Sequence, residues 1–246
     1  MSLTTHCSNC SLHPLCLPLS LKTSEMDKLD AIIRRGRPIK KGELLFAQGE
    51  PFNSVFAVRT GTVKTYTLTQ EGDEQITGFH LASELVGLDA YDSPIYPASA
   101  RALETTNVCE IPVDRLDSLS GQLPELRRQL LRLMGRELRE DQQMMLLLSK
   151  KSAEERIASF LLNLAARFRR RGYSGTQFRL TMARSDIANY LGMAVETVSR
   201  VFTRFQRQGL LADASSDRDI EIVDLTALTQ MASLADCERQ ELGISA

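Results

Sequence analysis

The chain has 246 residues, 43% of them hydrophobic and 25% charged, with a formal net charge of −1. This is the make-up of a globular protein with enough chain for one large or two modest domains, and not of a disordered or fibrous one. No apolar run approaches the roughly 20 residues of a membrane span, and the N-terminus lacks the basic flank and apolar stretch of a secretory signal, so the cytoplasm is the expected compartment.

Residues 1–22 hold Cys7, Cys10 and Cys16 together with Pro14 and Pro18, and show no periodicity. An amphipathic helix is predicted over 24–35, with Met26, Leu29, Ile32 and Ile33 on one side. From 36 to 109 the pattern changes to short alternating runs punctuated by Gly42, Gly49, Gly61, Gly72, Gly78 and Gly87, which indicates an all-β roll or barrel. The stretch 75–88 reads as strand mixed with loop, and 114–119 as a short helix or turn. Pro124, tolerated in a first turn, opens a long helix weakened only by Gly135. A further helix over 153–170 buries Ile157, Phe160, Leu161, Leu164 and Phe168, and a glycine loop then leads to an alternating stretch at 178–182. The expected division is a cysteine segment at 1–22, a β-roll at 23–122, a dimerisation helix at 123–149 and a DNA-binding domain at 150–246.

Charge is unevenly spread along these elements. Residues 150–211 carry twelve Lys and Arg against four Asp and Glu, a balance of +8, which leaves −9 on the remainder. One basic domain on an acidic protein is the electrostatic footprint of a nucleic-acid binder.

Within that basic stretch, residues 184–205 form the strongest local pattern. A first helix, capped by Ser185 or its neighbour, carries Ile187, Ala188 and Leu191; Gly192 supplies a turn; a second helix carries Val195, Val198, Val201 and Phe202. A helix-turn-helix needs a small residue where its helices touch, a glycine at the turn and an apolar residue facing in from the second helix. Ala188, Gly192 and Val198 meet those needs. The outward face begins with Glu196, Thr197, Ser199 and Arg200. Arg200 suits the guanine O6 and N7 pair, Glu196 suits cytosine N4, and Ser199 suits a base or a phosphate. Arg204 and Arg207 lie further along, where phosphates are the natural partners.

These features together resemble the CRP/FNR superfamily of bacterial regulators. The phrases Gln75-Ile-Thr-Gly-Phe-His80, Met145-Leu-Leu-Leu-Ser-Lys-Lys151 and Phe178-Arg-Leu-Thr-Met182 are similar to the fumarate and nitrate reduction regulator branch, including its ANR-type members. The similarity runs from Cys7 to about Leu211 and stops near Asp213. It implies an α+β fold: an N-terminal β-roll (a double-stranded β-helix), a long dimerisation helix and a C-terminal winged helix-turn-helix. It also implies a homodimer on double-stranded DNA with two TTGAT-like half-sites, recruiting RNA polymerase to genes of anaerobic growth, with residues 84–89 a candidate polymerase surface. Cyclic-nucleotide members of the superfamily grip the ligand phosphate with an Arg-Ser or Arg-Thr pair. The matching stretch here is Tyr96-Pro97-Ala98, and Arg101 is a poor substitute, so no cyclic nucleotide is expected.

Cys7-x2-Cys10-x5-Cys16 supplies three thiolates from one segment, and both a four-iron cluster and a zinc ion call for four. Spacing alone leaves zinc and iron–sulfur open. The resemblance implies a [4Fe-4S] cluster with Cys109 as the fourth ligand, and conversion by O2 to a two-iron form that weakens dimerisation. Leu12 and Leu15 would shield such a site. His6 and His13 flank the cysteines without being needed, His80 reads as a packed or surface residue, and Cys237 as a free thiol in the tail.

The long helix carries Leu131, Met134, Leu138, Asp141, Met145 and Leu148 at spacings of 3, 4, 3, 4 and 3, the seam of a coiled coil. Asp141 interrupts that seam. Across a two-fold axis it would lie close to its own copy, and two carboxylates in a partly dry interface repel. The alternative is that Asp141 turns to the rim and pairs with Arg136 or Arg139. A dithiol redox enzyme is disfavoured, because no βαβ pattern accompanies Cys7 and Cys10, and neither a phosphate loop nor a hydrolytic triad signature is present.

Overall fold

A computed structural model describes residues 6–213 and 216–233. The chain divides into two compact units, Met1–Arg139 and Glu140–Ala246, and the division falls inside one long helix.

The first unit opens with two short 3-10 turns, Cys7–Asn9 and Leu17–Ser20, followed by helix α1 (Thr23–Ile32). Seven strands follow: β1 (Leu44–Phe46), β2 (Ser54–Thr60), β3 (Val63–Leu68), β4 (Glu74–His80), β5 (Leu85–Val86), β6 (Ser99–Ala102) and β7 (Asn107–Pro112). They form two antiparallel sheets, one ordered β1-β6-β3-β4 and the other β5-β2-β7. Phe46, Val63 and Ala100 from the first sheet meet Val58 and Val86 from the second in one core, as the alternating pattern of 36–109 requires. Gly61 makes the β2–β3 turn at φ +87°, and any side chain there would collide with Thr106 and the Thr105 carbonyl. The ambiguous stretch 75–88 resolves into β4, a tight turn and β5.

Helix α2 (Val113–Gln122) is longer than the short helix or turn predicted, and α3 (Pro124–Lys150) runs for 27 residues from its proline start. A second core joins these helices to the N-terminal segment. Leu17, Leu21 and Leu29 pack with Leu116, Leu119, Leu123, Leu126 and Leu130, and Cys16, Cys109, Leu133 and Met134 lie against the same cluster. The cysteine segment is therefore held by ordinary apolar burial.

The second unit contains α4 (Ala153–Arg170), β8 (Gln177–Arg179), α5 (Arg184–Tyr190), α6 (Val195–Arg207), β9 (Asp219–Glu221) and α7 (Leu225–Met231). A capping box starts α4: the Ser152 Oγ accepts from the Glu155 N–H at 3.3 Å, and the Ser152 N–H donates to the Glu155 carboxylate at 2.8 Å. β8 pairs with β9 in a two-stranded wing. No helix among the described residues is long and apolar enough to cross a membrane. Cys237 lies outside the described residues.

Candidate cysteine pocket and DNA-reading face

Cys7 is buried, whereas Cys10, Cys16 and Cys109 are half-buried, and all four are free thiols. They line one pocket, walled mainly by Leu12, Leu17, Leu29, Val58 and Ile111. The strand pairing explains how Cys109 arrives there: it sits on β7 opposite Ala57 of β2, which also faces the pocket. The thiols are close enough to feel one another's charge, Cys109 acting on Cys7 and Cys16, and Cys10 on Cys16 and Cys109. They are not drawn to ligand spacing. Among the described residues no group of three or more His, Cys, Asp or Glu is gathered tightly enough to hold a metal ion.

Burial disfavours the charged form of Cys7, Cys16 and Cys109. Burial pushes Cys7 up to about 12, reinforced by Asp30, and burial likewise pushes Cys16 up to about 12. Burial also raises Cys109, opposed by the nearby cations Arg35 and Arg59. Burial alone would raise the Asp30 carboxyl, but the Arg35 guanidinium and the Cys7 N–H hold it below its usual range. The Cys7 N–H donates to Asp30 at 2.8 Å, Arg35 pairs with Asp30 at 2.5 Å, and a guanidinium nitrogen of Arg35 lies 3.7 Å from the Cys7 sulfur. His6 pairs with Ser8 and with Asp27 and Asp30, and His13 bonds the Cys10 carbonyl, so both histidines brace the segment. His80 is half-buried and bonded to Thr65.

In the second unit, α5 and α6 form the helix-turn-helix read from the sequence. Ala188 and Val198 are fully buried, and Gly192 takes φ +61° at the turn. One detail differs. The residue before α5 is Ala183, whose N–H donates to the Asp186 carboxylate at 2.8 Å, so Ser185 is not the cap. Val195 is 40% exposed, because the inward stripe of α6 is Val198, Val201, Phe202 and Phe205 and a first-turn position falls outside it. Glu196, Ser199 and Arg200 are exposed and Thr197 is half-buried, all near the start of α6. Ser199 donates to the Val195 carbonyl at 3.0 Å, which leaves its lone pairs facing outward. Arg204 is paired with Glu154 of α4.

Along α3, Leu131, Leu138 and Met145 are each 60–65% exposed, and so is Leu146. Asp141 is also exposed, and partial desolvation pushes its carboxyl above the usual range. Met134 differs from these seam residues, since it is half-buried against the chain's own core. Residues 84–89 are mostly interior, with Leu85, Val86, Gly87 and Leu88 buried and only Asp89 exposed, so they make a poor polymerase surface.

Comparison with known proteins gives this geometry its context. Residues 36–122 match the cyclic nucleotide-binding domain family, and residues 155–231 match the Crp-like helix-turn-helix domain family. The chain is 65% identical over 227 residues to the transcriptional activator protein anr of Pseudomonas aeruginosa, covering 92% of each chain. It is 55% identical to the fumarate and nitrate reduction regulatory protein of Escherichia coli, covering 92% of this chain and 90% of that one. The solved structure of FixK2 from Bradyrhizobium japonicum is similar with a TM-score of 0.76 and 32% identity, covering 83% of this chain and 99% of that one. The chain belongs to the Anr/FNR branch of the CRP/FNR regulators. It is a DNA-binding transcription regulator and not an enzyme.

At these two sites of the Anr/FNR chain, Asp30, Arg35 and Thr203 escaped the sequence reading. Asp30 and Arg35 brace Cys7, but in sequence they are an ordinary helix acid and one of several basic residues. Thr203 is exposed on α6 one turn beyond Ser199, to whose carbonyl it donates at 3.1 Å, and helical spacing places it on the reading side.

Proposed function

We propose that this chain is an oxygen-responsive regulator that carries a [4Fe-4S] cluster on Cys7, Cys10, Cys16 and Cys109. In this reading it binds TTGAT-like two-fold operators as a homodimer in the cytoplasm and recruits RNA polymerase to genes of anaerobic metabolism. The observation that carries the reading is the convergence of all four thiols on one apolar pocket that is packed against the base of α3. The donor set is sulfur only, which suits iron–sulfur or zinc, and the family favours the former. Bound there, the cluster would supply an oxygen-labile cross-link between the N-terminal segment and β7.

The chain's own residues carry the rest. Leu17 and Leu21 on one side, and Leu126 and Leu130 on the other, share a core, so the set of the cysteine segment bears on the set of α3. The interface itself is marginal, because Leu131, Leu138 and Met145 offer apolar surface while Asp141 places a carboxylate among them. In an oxygen-free dimer the seam would hold despite that repulsion, and in air it would not. Two linked copies present two α6 helices, and bivalency supplies affinity that one copy lacks.

A cyclic nucleotide is no part of this reading. At 96–98 no arginine is present, and the Tyr96 ring is buried and stacked 3.8 Å from Phe46, its hydroxyl donating to the Ser54 carbonyl at 2.6 Å. Aromatic side chains thus fill the roll from within.

The deciding experiment is purification without oxygen followed by an O2 titration watched by visible absorption. A broad charge-transfer band that bleaches with O2 is expected. A colourless protein from a strictly anaerobic preparation removes the sensor reading and leaves a DNA-binding regulator with another ligand. A parallel test concerns Asp141. Its carboxyl sits above the usual range and is costly to keep charged between two copies, so dimerisation strengthens as pH falls through the carboxylate range. Asp141→Ala should dimerise in air, with an association constant that no longer varies over that range; an unchanged aerobic constant places the gate elsewhere.

A further inference from the structure

Three hydrogen bonds from one side chain converge where α3 ends. The Arg156 guanidinium, on the first turn of α4, donates to the Leu148 carbonyl at 2.8 Å, the Lys151 carbonyl at 3.0 Å and the Leu191 carbonyl at 2.9 Å. Leu148 and Lys151 belong to the C-terminal end of α3 and the link beyond it, and Leu191 is the C-cap of α5. The final carbonyls of a helix have no partner within it and carry partial negative charge. The N–H that would have served Leu148, that of Ser152, is turned to Glu155 instead. One cation therefore closes two helix C-termini at once: that of the seam helix and that of the first helix of the helix-turn-helix.

The surroundings reinforce this joint. Gly192, the turn before α6, comes so close that a Cβ there would touch Leu148 at 3.8 Å and Arg156 at 3.9 Å. Lys151 reaches the other way, donating to the Ala232 and Ser233 carbonyls at 3.3 and 2.7 Å. Leu148, the last residue of the predicted seam, is in this way fixed directly to the turn that aims the reading helix.

We infer that Arg156 is a positioning residue for operator binding, a rigid joint that locks the direction of α6 to the end of α3. The inference rests on the proposed two-fold DNA reading. Its physical content is a spacing constraint. Two half-sites one helical turn apart, about 34–36 Å, are met together only if each α6 is held at a set angle to the helix that pairs the copies. A loose joint leaves each reading helix intact but lowers the effective concentration of the second at its half-site. Lysine cannot replace the fork, because it offers a point charge where three separated carbonyls need a planar donor.

The test uses the full-length chain prepared without oxygen, as wild type, Arg156→Lys and Arg156→Met. Binding is measured to a single half-site, to the full two-fold operator, and to operators with one base pair inserted or removed between half-sites. Dimerisation is followed by sedimentation. Both variants should dimerise and bind the half-site as wild type does, lose about ten- to a hundredfold on the full operator, and pay a smaller penalty for altered spacing. The spacing penalty separates a joint from a mere fold-stabilising contact. Half-site binding that falls in step with full-site binding shows that Arg156 only maintains the domain and overturns the inference, as does an unchanged spacing penalty. A wild-type chain that ignores every operator overturns the DNA reading itself, and the joint with it.

Discussion

The cysteine pocket and the reading helix are built in opposite ways. The helix-turn-helix lies within one short run of sequence, and local rules hold it: a buried alanine, a left-handed glycine and an apolar stripe at helical spacing. The pocket draws Cys7, Cys10 and Cys16 from a segment without periodicity and Cys109 from β7, and only the pairing of β7 with β2 brings them together. A contiguous element tolerates loss of one contact because its neighbours still fix the backbone. A site assembled from distant segments has no such reserve, so its dependence on each member is steeper.

The sharpest break in this comparison is at the pocket. Cys109→Ser should abolish cluster incorporation, with iron content and visible absorbance falling to background, while far-UV circular dichroism stays that of wild type. A half-buried residue on a well-paired strand loses little packing when sulfur becomes oxygen. Retention of most of the iron would show that the fourth ligand lies elsewhere. Leu17→Ala is the next largest effect. Leu17 is 1% exposed in the core that holds the segment, and truncation of a buried leucine costs about 2–5 kcal/mol. Protease cleavage around residues 7–20 of the metal-free protein should accelerate markedly. An unchanged cleavage rate would mean that apolar burial does not hold the segment.

How far the sequence could be read follows the same contrast. The strands, the start of α3 at Pro124 and the roles of Ala188, Gly192 and Val198 follow from periodicity and backbone preference, which are local. Nothing in the sequence separates Val195 from the other apolar residues of α6, because the inward stripe of a helix is defined only once its packing partner is known, and a first-turn residue sits at its edge. Met134 fits the heptad spacing as well as Leu131 does, yet it is half-buried against the chain's own core. Asp30, Arg35 and Arg156 were illegible for a common reason. Each acts on a backbone atom or sulfur that tertiary folding brings near, and no spacing rule encodes that.

Within the reading helix the expected effects are smaller and separable. Arg200→Ala should cost about 1–3 kcal/mol of discrimination at its base position, and relax preference there without weakening binding to unrelated DNA. Competition binding across single-base operator variants measures this. Equal loss on all sequences would assign Arg200 to phosphate instead.

The mildest change is expected at Arg204, whose pairing with Glu154 separates two readings of the same side chain. If Arg204 leaves Glu154 to neutralise a phosphate, Arg204→Ala should lower affinity nearly uniformly across sequences and reduce the slope of log affinity against log salt by about 1 per copy. Glu154→Gln should then strengthen binding slightly, since it frees the arginine in the unbound state. If the pair instead persists on DNA as a brace between α4 and α6, Arg204→Ala leaves the salt slope unchanged and Glu154→Gln weakens binding. Exposed pairs of this kind contribute at most about 1 kcal/mol, so a single affinity leaves the two cases unresolved. The salt slope separates them, because it counts released counterions and is indifferent to the strength of a protein–protein ion pair.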